Sequence, residues 1–308
     1  MKYTIKTTII LSLIISQYLL ANVLPPKAFA DLPGSNYQLL DINSMRTSNN
    51  ALRISINNSP IEFTIRNISL NTNGDSYYQA FNQHTHASIS VTIGKKSIFG
   101  KMHYNNDHYI ISTDANGSWL IKLPKTGISY NDCGLDHPSQ TLNPRPNPFT
   151  NINKSLVSNP KGQNNVVDIY VLYDQAMAER YPGNLIQSKI NQYFNVATQS
   201  LTNSQVAYAV RLVGLELTTY NVSENNVEAR NDIQKSLSGQ TIPGFETLLQ
   251  RRNQLGADMV VLIRPHDIET RGNCGVAYFP VANANASGYD ARYGVHVMSD
   301  GMSSWSVC

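Results

Sequence analysis

The chain carries little charge and few cysteines. Asp, Glu, Lys and Arg make up 15% of its 308 residues, and there are three cysteines and two tryptophans. Three lysines and no acid lie in the first 30 residues, so the remaining chain has 21 residues of each sign. The excess of positive charge thus belongs to the first 30 residues and gives no evidence for nucleic-acid binding. We therefore expect no nucleic-acid partner.

Long apolar runs are also missing, apart from one near the N-terminus. Residues 8–20 are apolar, follow Lys2 and Lys6, and precede the small-x-small triplet Ala28-Phe29-Ala30. The run is short for a bilayer span, so residues 1–30 are predicted to be a signal peptide rather than an uncleaved anchor. We expect a secreted protein, extracellular or periplasmic, without stable membrane insertion. Three cysteines in such a protein suggest one disulfide and one cysteine left over.

Residues 31–130 are predicted to be β-rich. Asn116-Gly117 is a strong hairpin signal, and it indicates an antiparallel meander. The predicted strands are 51–56, 61–68, 88–93, 98–104, 109–113 and 118–123. His84 and His86 could supply two metal ligands, but a solvated loop pair is the alternative, since no third ligand is evident. Residues 131–165, rich in Pro and Asn, are predicted to be an extended linker.

Residues 166–308 alternate strands and helices. Strands are predicted at 166–173, 208–217, 259–263 and 293–298, with helices starting at Asn184, Ser223 and Pro243. Gly214 indicates a bulge and Gly256 a helix end. This order favours a largely parallel sheet with flanking helices.

Four segments of this second half stand in a characteristic order: VDIYVLY (167–173), RLVG (211–214), LGADMVVL (255–262) and GNCGVAY (272–278). Through them the second half resembles the start of a metzincin zinc protease domain, of the adamalysin/reprolysin-like branch. Secreted bacterial members such as peptidyl-Asp metalloendopeptidase-like enzymes belong to that branch. The resemblance implies an α/β (α+β) mixed sheet with flanking helices, incomplete at its C-terminus and preceded by a β-rich pro-region.

In that family the segment corresponding to 274–278 is an antiparallel edge strand that binds the peptide substrate. The resemblance therefore assigns substrate binding to Gly275, Val276, Ala277 and Tyr278. An extended peptide or protein segment would pair with the exposed backbone of this edge. The alternative is a loop anchored by a disulfide.

The family's zinc chemistry requires an H-E-x-x-H motif, which places two imidazoles on the metal and a carboxylate beside its water. None of the seven histidines is followed by Glu; they are His84, His86, His103, His108, His137, His266 and His296. We therefore expect no catalytic residue and no metal ligand in this chain, although complete relatives use zinc. We predict a sequence truncated before the zinc helix and inactive in hydrolysis. The alternative is a non-catalytic secreted protein that binds peptides or proteins along the same edge.

The cysteines are assigned by the same resemblance. It implies a disulfide between Cys274 and Cys308, and it makes Cys133 similar to the cysteine switch that keeps such precursors latent. A plain surface thiol or a disulfide of Cys133 are the alternatives. The pro-region is expected to dock on the catalytic half.

Overall fold

The structure is a computed structural model that describes most of the two predicted domains. The described residues are 36–45, 50–124, 165–221, 225–266, 274–278, 292, 294–303 and 306–307. The predicted signal peptide, Cys133 with its linker, and Cys308 lie outside them. Two compact units are formed by Met1–Gly127 with Arg180–Gln192, and by Ile128–Glu179 with Tyr193–Cys308. Over the described ranges, no helix is long and apolar enough to cross a bilayer.

The first unit contains an eight-stranded antiparallel sheet with the strand order β1-β8-β7-β6-β5-β4-β3-β2. Its strands are β1 (Asn36–Leu40), β2 (Ala51–Ile56), β3 (Ser59–Leu70), β4 (Ser76–Asn82), β5 (Ala87–Ile93), β6 (Ile98–Tyr104), β7 (Asp107–Asp114) and β8 (Gly117–Lys122). A short 3-10 helix, Ile42–Met45, follows β1. The side chain of Gln38 on β1 bonds to the end of β2, donating to Ser55 O at 2.7 Å and accepting from Asn57 N at 2.9 Å.

Turn chemistry and alternation explain this sheet. Asn residues supply the positive φ angles of the tight turns, with Asn105 at 51° and Asn106 at 60° between β6 and β7. Alternate residues face one interior, where Leu52, Phe63 and Val91 are fully buried. The predicted antiparallel meander is confirmed, but strands β1 and β4 were not predicted from the sequence.

The first unit also includes the start of a helix from the second half of the chain. Asn191 donates to Asn73 Oδ1 at 2.9 Å and to Asp75 Oδ2 at 3.1 Å. Thr92 donates to Gln192 Oε1 at 2.6 Å. These contacts pair the buried side chains of Asn191, Gln192 and Thr92 with partners in the same unit.

The second unit is built on a five-stranded sheet with the order β10-β9-β11-β13-β12. The first four strands in that order run parallel, and β12 is antiparallel to β13. The strands are β9 (Asn165–Tyr173), β10 (Tyr208–Leu217), β11 (Met259–Pro265), β12 (Gly275–Ala277) and β13 (Val295–Asp300). A two-stranded ribbon follows, with β14 (Met302–Ser303) and β15 (Ser306–Val307). The helices between the strands are α1 (Gln175–Arg180), α2 (Leu185–Asn203), α3 (Asn226–Leu237) and α4 (Leu248–Leu255).

Helices α3 and α4 pack on one face of this sheet. The core there joins Tyr170, Leu172, Val260, Leu262, Val295 and Val297 of the strands to Ala229, Ile233, Leu237 and Leu248 of the helices. The largely parallel sheet is confirmed, as are the irregularity of β10 at Gly214 and the end of α4 at Gly256, whose φ is 63°.

Two predicted helix starts were wrong. The N-cap of α3 is Asn225, whose side chain accepts from Glu228 N, rather than Ser223. Helix α4 begins at Leu248 rather than at Pro243. Between α3 and α4, Gly244 adopts a φ of 85°, and its carbonyl accepts from Thr218 Oγ1 at 2.7 Å. These features stabilise a turn where a helix was expected.

Candidate peptide-docking edge

Strand β12 forms one edge of the five-stranded sheet. It pairs with β13 in the register Gly275↔Met298, Val276↔Val297 and Ala277↔His296. The other edge strand, β10, runs parallel to its neighbour, so β12 is the antiparallel edge. The predicted edge strand at 274–278 is thus present over Gly275–Ala277.

The backbone groups of β12 alternate between β13 and the opposite side, where the described residues add no further strand. Ser299 N donates to Cys274 O at 2.7 Å, so the main chain of Cys274 faces β13. Because this direction alternates along a strand, Val276 also faces β13, whereas the N–H and C=O groups of Gly275 and Ala277 face away from the sheet. These two residues are therefore the ones that can pair with an added strand.

The side chains of β12 lie on the two faces of the sheet. The side chain of Val276 is 6% exposed and belongs to the core beneath α3. Its assignment to substrate binding stays a prediction. Ala277 is exposed. A Cβ atom on Gly275 would lie 3.0 Å from His296 Nε2, so a small residue suits this position. Burial lowers the pKa of His296, so its imidazole stays neutral near pH 7.

Helix α3 reaches over the end of this edge. Arg230 Nη1 donates to the outward-facing Ala277 O at 3.2 Å, and its guanidinium lies 4.1 Å from the centroid of the Tyr278 ring. The Tyr278 hydroxyl donates to Asn231 Oδ1 at 2.7 Å, and Arg230 Nη2 donates to the same oxygen at 3.1 Å. Contacts with α3 therefore hold Tyr278 beside one end of the edge, and Arg230 covers the Ala277 carbonyl.

Arg230 and Asn231 were not predicted from the sequence. They lie on the helix surface about 45 positions before β12, and no local signal in a polar helix indicates which strand end it approaches. His296 was noted in the sequence only as a histidine outside any zinc motif. The β12–β13 register is what brings it beneath Gly275.

Of the three cysteines, only Cys274 is among the described residues. Cys274, directly before β12, is disulfide-bonded. Its predicted partner Cys308 and the predicted switch Cys133 lie outside the described residues, so the pairing and the latency role stay predictions.

The sequence and the described side chains do not fit the family's zinc site. No histidine of the sequence is followed by Glu. Within the described ranges, no group of three or more His, Cys, Asp or Glu side chains is placed to hold a metal ion. His84 and His86 are exposed and lie in the turn between β4 and β5, as expected for a solvated loop pair.

Comparisons with known proteins point to peptidases. Residues 163–307 match the model of Reprolysin_5, metallo-peptidase family M12. No curated protein matches the chain. Several solved structures are similar, and two of them show the low level of identity. One is a chaperone–substrate complex, with 13% identity, a TM-score of 0.35, and coverage of 65% of this chain and 27% of that one.

The other is metalloproteinase-II from Bacteroides fragilis, with 10% identity, a TM-score of 0.42, and coverage of 84% of this chain and 77% of that one. At these TM-scores neither likeness bears on the fold of this chain. The family match covers the five-stranded sheet, helices α1 to α4 and the β12 edge. The second half of the chain is thus similar to metallo-peptidase family M12.

Proposed function

We propose that residues 165–307 form a metallo-peptidase-type domain that binds an extended peptide along β12. We place it in the adamalysin/reprolysin-like branch and propose that the protein is exported. The observation that carries the proposal is the outward-facing backbone of Gly275 and Ala277 on an antiparallel edge, within a region that matches a peptidase family. An incoming peptide would add a sixth strand by β-augmentation.

Specificity at this edge would come from the side chains around it. The peptide backbone pairs with Gly275 and Ala277, while Tyr278 and Arg230 bound one end of the docking strand. Arg230 already occupies the Ala277 carbonyl, so a peptide that extends past Ala277 must displace it. The edge therefore favours a short pairing centred on Gly275.

Hydrolysis is not proposed, because the sequence contains no H-E-x-x-H motif. Three finer expectations also remain proposals. A Cys133 latency switch, a Cys274–Cys308 bridge and docking of the pro-region on the second half are proposals that the family match motivates.

Peptide binding is tested with a matched pair of variants at Ala277. Ala277→Pro removes the outward N–H without touching the β12–β13 ladder, whereas Ala277→Val keeps that donor. In fluorescence anisotropy with a pool of labelled unstructured decapeptides, Ala277→Pro should weaken binding by about tenfold, the value of one backbone hydrogen bond. Ala277→Val should bind like the unaltered chain. Equal binding by the Pro and Val variants would place the peptide elsewhere.

Hydrolysis is tested separately with a quenched peptide library, with added zinc and with a chelator. No turnover is expected in either condition. Zinc-dependent turnover that the chelator abolishes would show that the chain contains a catalytic site we have not identified.

A further inference from the structure

Two histidines face each other on the first unit, and neither belongs to the peptide-docking edge. His103 on β6 and His108 on β7 are direct cross-strand partners, and their ring centroids are 5.0 Å apart with an interplanar angle of 51°. The connecting turn is the two-residue loop Asn105-Asn106, in which both residues have positive φ. Such a loop is a type I′ turn, which fixes the strand register tightly.

The pair occupies the closer of the two kinds of antiparallel pairing. Leu123 N donates to His108 O at 2.8 Å, so the main chain of His108 faces β8 rather than β6. His103 and His108 therefore form a non-hydrogen-bonded pair, in which the Cα atoms are about 4.5 Å apart and the side chains approach most closely. The pairing holds the two imidazoles together without a ligand.

Both imidazoles project from the outer face of the sheet. The adjacent Met102 and Tyr109 are buried at 2% and 6% exposure and face the interior, so by alternation the two histidines face outward. His108 is exposed and His103 half-buried. A solute ion can reach both rings.

The ring separation suits one shared metal ion. With a metal–nitrogen bond of about 2.0 Å, each ring centroid lies about 3 Å from the metal, and two rings at a tetrahedral angle are then about 5 Å apart. The observed 5.0 Å matches that spacing. Either ring nitrogen can be turned toward the ion by rotation about χ2, which is a soft torsion.

We propose that His103 and His108 together bind one divalent transition-metal ion, with water completing its coordination. Imidazole nitrogen is a ligand for Cu²⁺, Ni²⁺ and Zn²⁺, and the Irving–Williams order makes Cu²⁺ the tightest of the three. No third His, Cys, Asp or Glu of the described residues joins the pair, so the site is open and exchangeable. Lys101 lies on the same face of β6, two residues from His103, and its charge opposes a bound cation. The site shares no residue with the peptide-docking edge and does not depend on the proposed function.

The test uses the untagged full chain with its thiols alkylated, so that neither a tag nor a cysteine competes for Cu²⁺. Isothermal titration with Cu²⁺ at pH 7.5 measures affinity, and electron paramagnetic resonance counts the nitrogen ligands. The unaltered chain should show a tight equivalent with two nitrogen ligands. His103→Gln and His108→Gln should each weaken that equivalent by about 100-fold, because the second imidazole then no longer adds intramolecularly.

His84→Gln is the matched control, since His84 is an exposed histidine in the next turn at the same end of the sheet. It should leave the tight equivalent unchanged. Circular dichroism checks that each variant keeps its sheet, and lowering the pH to 5 should release the ion from the unaltered chain, because a metal ligand must be deprotonated. Unchanged affinity in either His103→Gln or His108→Gln, or a signal from a single nitrogen in the unaltered chain, would overturn the proposal.

Discussion

Asp174 offers a sharp test of how the second unit is held together. It directly follows β9, and its Oδ1 accepts from Met177 N at 2.9 Å, which caps helix α1. Its Oδ2 lies 3.7 Å from Arg264 Nε at the end of β11, and the two side chains are 9% and 4% exposed. One carboxylate thus caps a helix and faces a buried guanidinium.

Asp174→Asn separates these two roles, because the amide oxygen can still accept from Met177 while the charge is removed. Losing one partner of a buried, hydrogen-bonded ion pair costs about 3–5 kcal/mol. The separation of 3.7 Å is longer than a hydrogen bond. We therefore expect a smaller loss for Asp174→Asn, about 2–3 kcal/mol, with about 1 kcal/mol more for Asp174→Ala, which also removes the cap.

The assay is native-state hydrogen exchange of amides in β9 and β11 at increasing urea, which reports the local free energy of opening in a chain with two units. Asp168→Asn on the same strand is the control. Asp168 pairs with Arg211 through two contacts of 2.7 Å, but the Arg211 side chain is 63% exposed. Exposed ion pairs contribute less than about 1 kcal/mol. If both variants lowered the free energy equally, burial of the Arg264 pair would not be the source of the stability.

Three further outcomes are expected. Burial lowers the pKa of His296, so the unfolded state binds its proton first, and stability should fall as pH drops below about 6.5; His296→Leu should remove that slope in pH-dependent urea unfolding. Asn225→Ala removes the cap of α3 and should cost about 1 kcal/mol in the exchange of its first-turn amides. Gly214→Ala would place a Cβ 2.9 Å from Tyr170 Cδ2, and overpacking there should cost about 1–2 kcal/mol in urea unfolding.

The regular parts of both sheets could be predicted because their signals are local. Strands β2, β6 and β10 begin and end where apolar alternation and turn residues predicted. Strand β4 was missed because its sequence SYYQAFN mixes aromatic and polar residues without clear alternation. The helix expected at Pro243 gave way to a turn because Gly244 packs against the Tyr220 backbone, where a Cβ would lie 2.4 Å from Tyr220 N. Such tertiary packing leaves no local signal.

The candidate site also combines features that the sequence predicted with features that depend on tertiary packing. The edge position of Gly275 and Ala277 followed from the resemblance of one segment, and the sheet order supports it. Burial of Val276 and the cover supplied by Arg230 depend on where α3 lies, which strand pairing and core packing decide together. The His103–His108 contact depends only on the register of one hairpin. Strands were predicted from the sequence on both sides of that hairpin's turn.

The most direct test of the account is amide exchange along β12, measured by NMR with and without a bound peptide. In the unbound chain, the Gly275 and Ala277 amides should exchange fast because they face the open edge, and Val276 should be protected by β13. On peptide binding, we predict that exchange slows at Gly275 and Ala277. Peptide binding that leaves both amides exchanging as before would contradict docking at this edge.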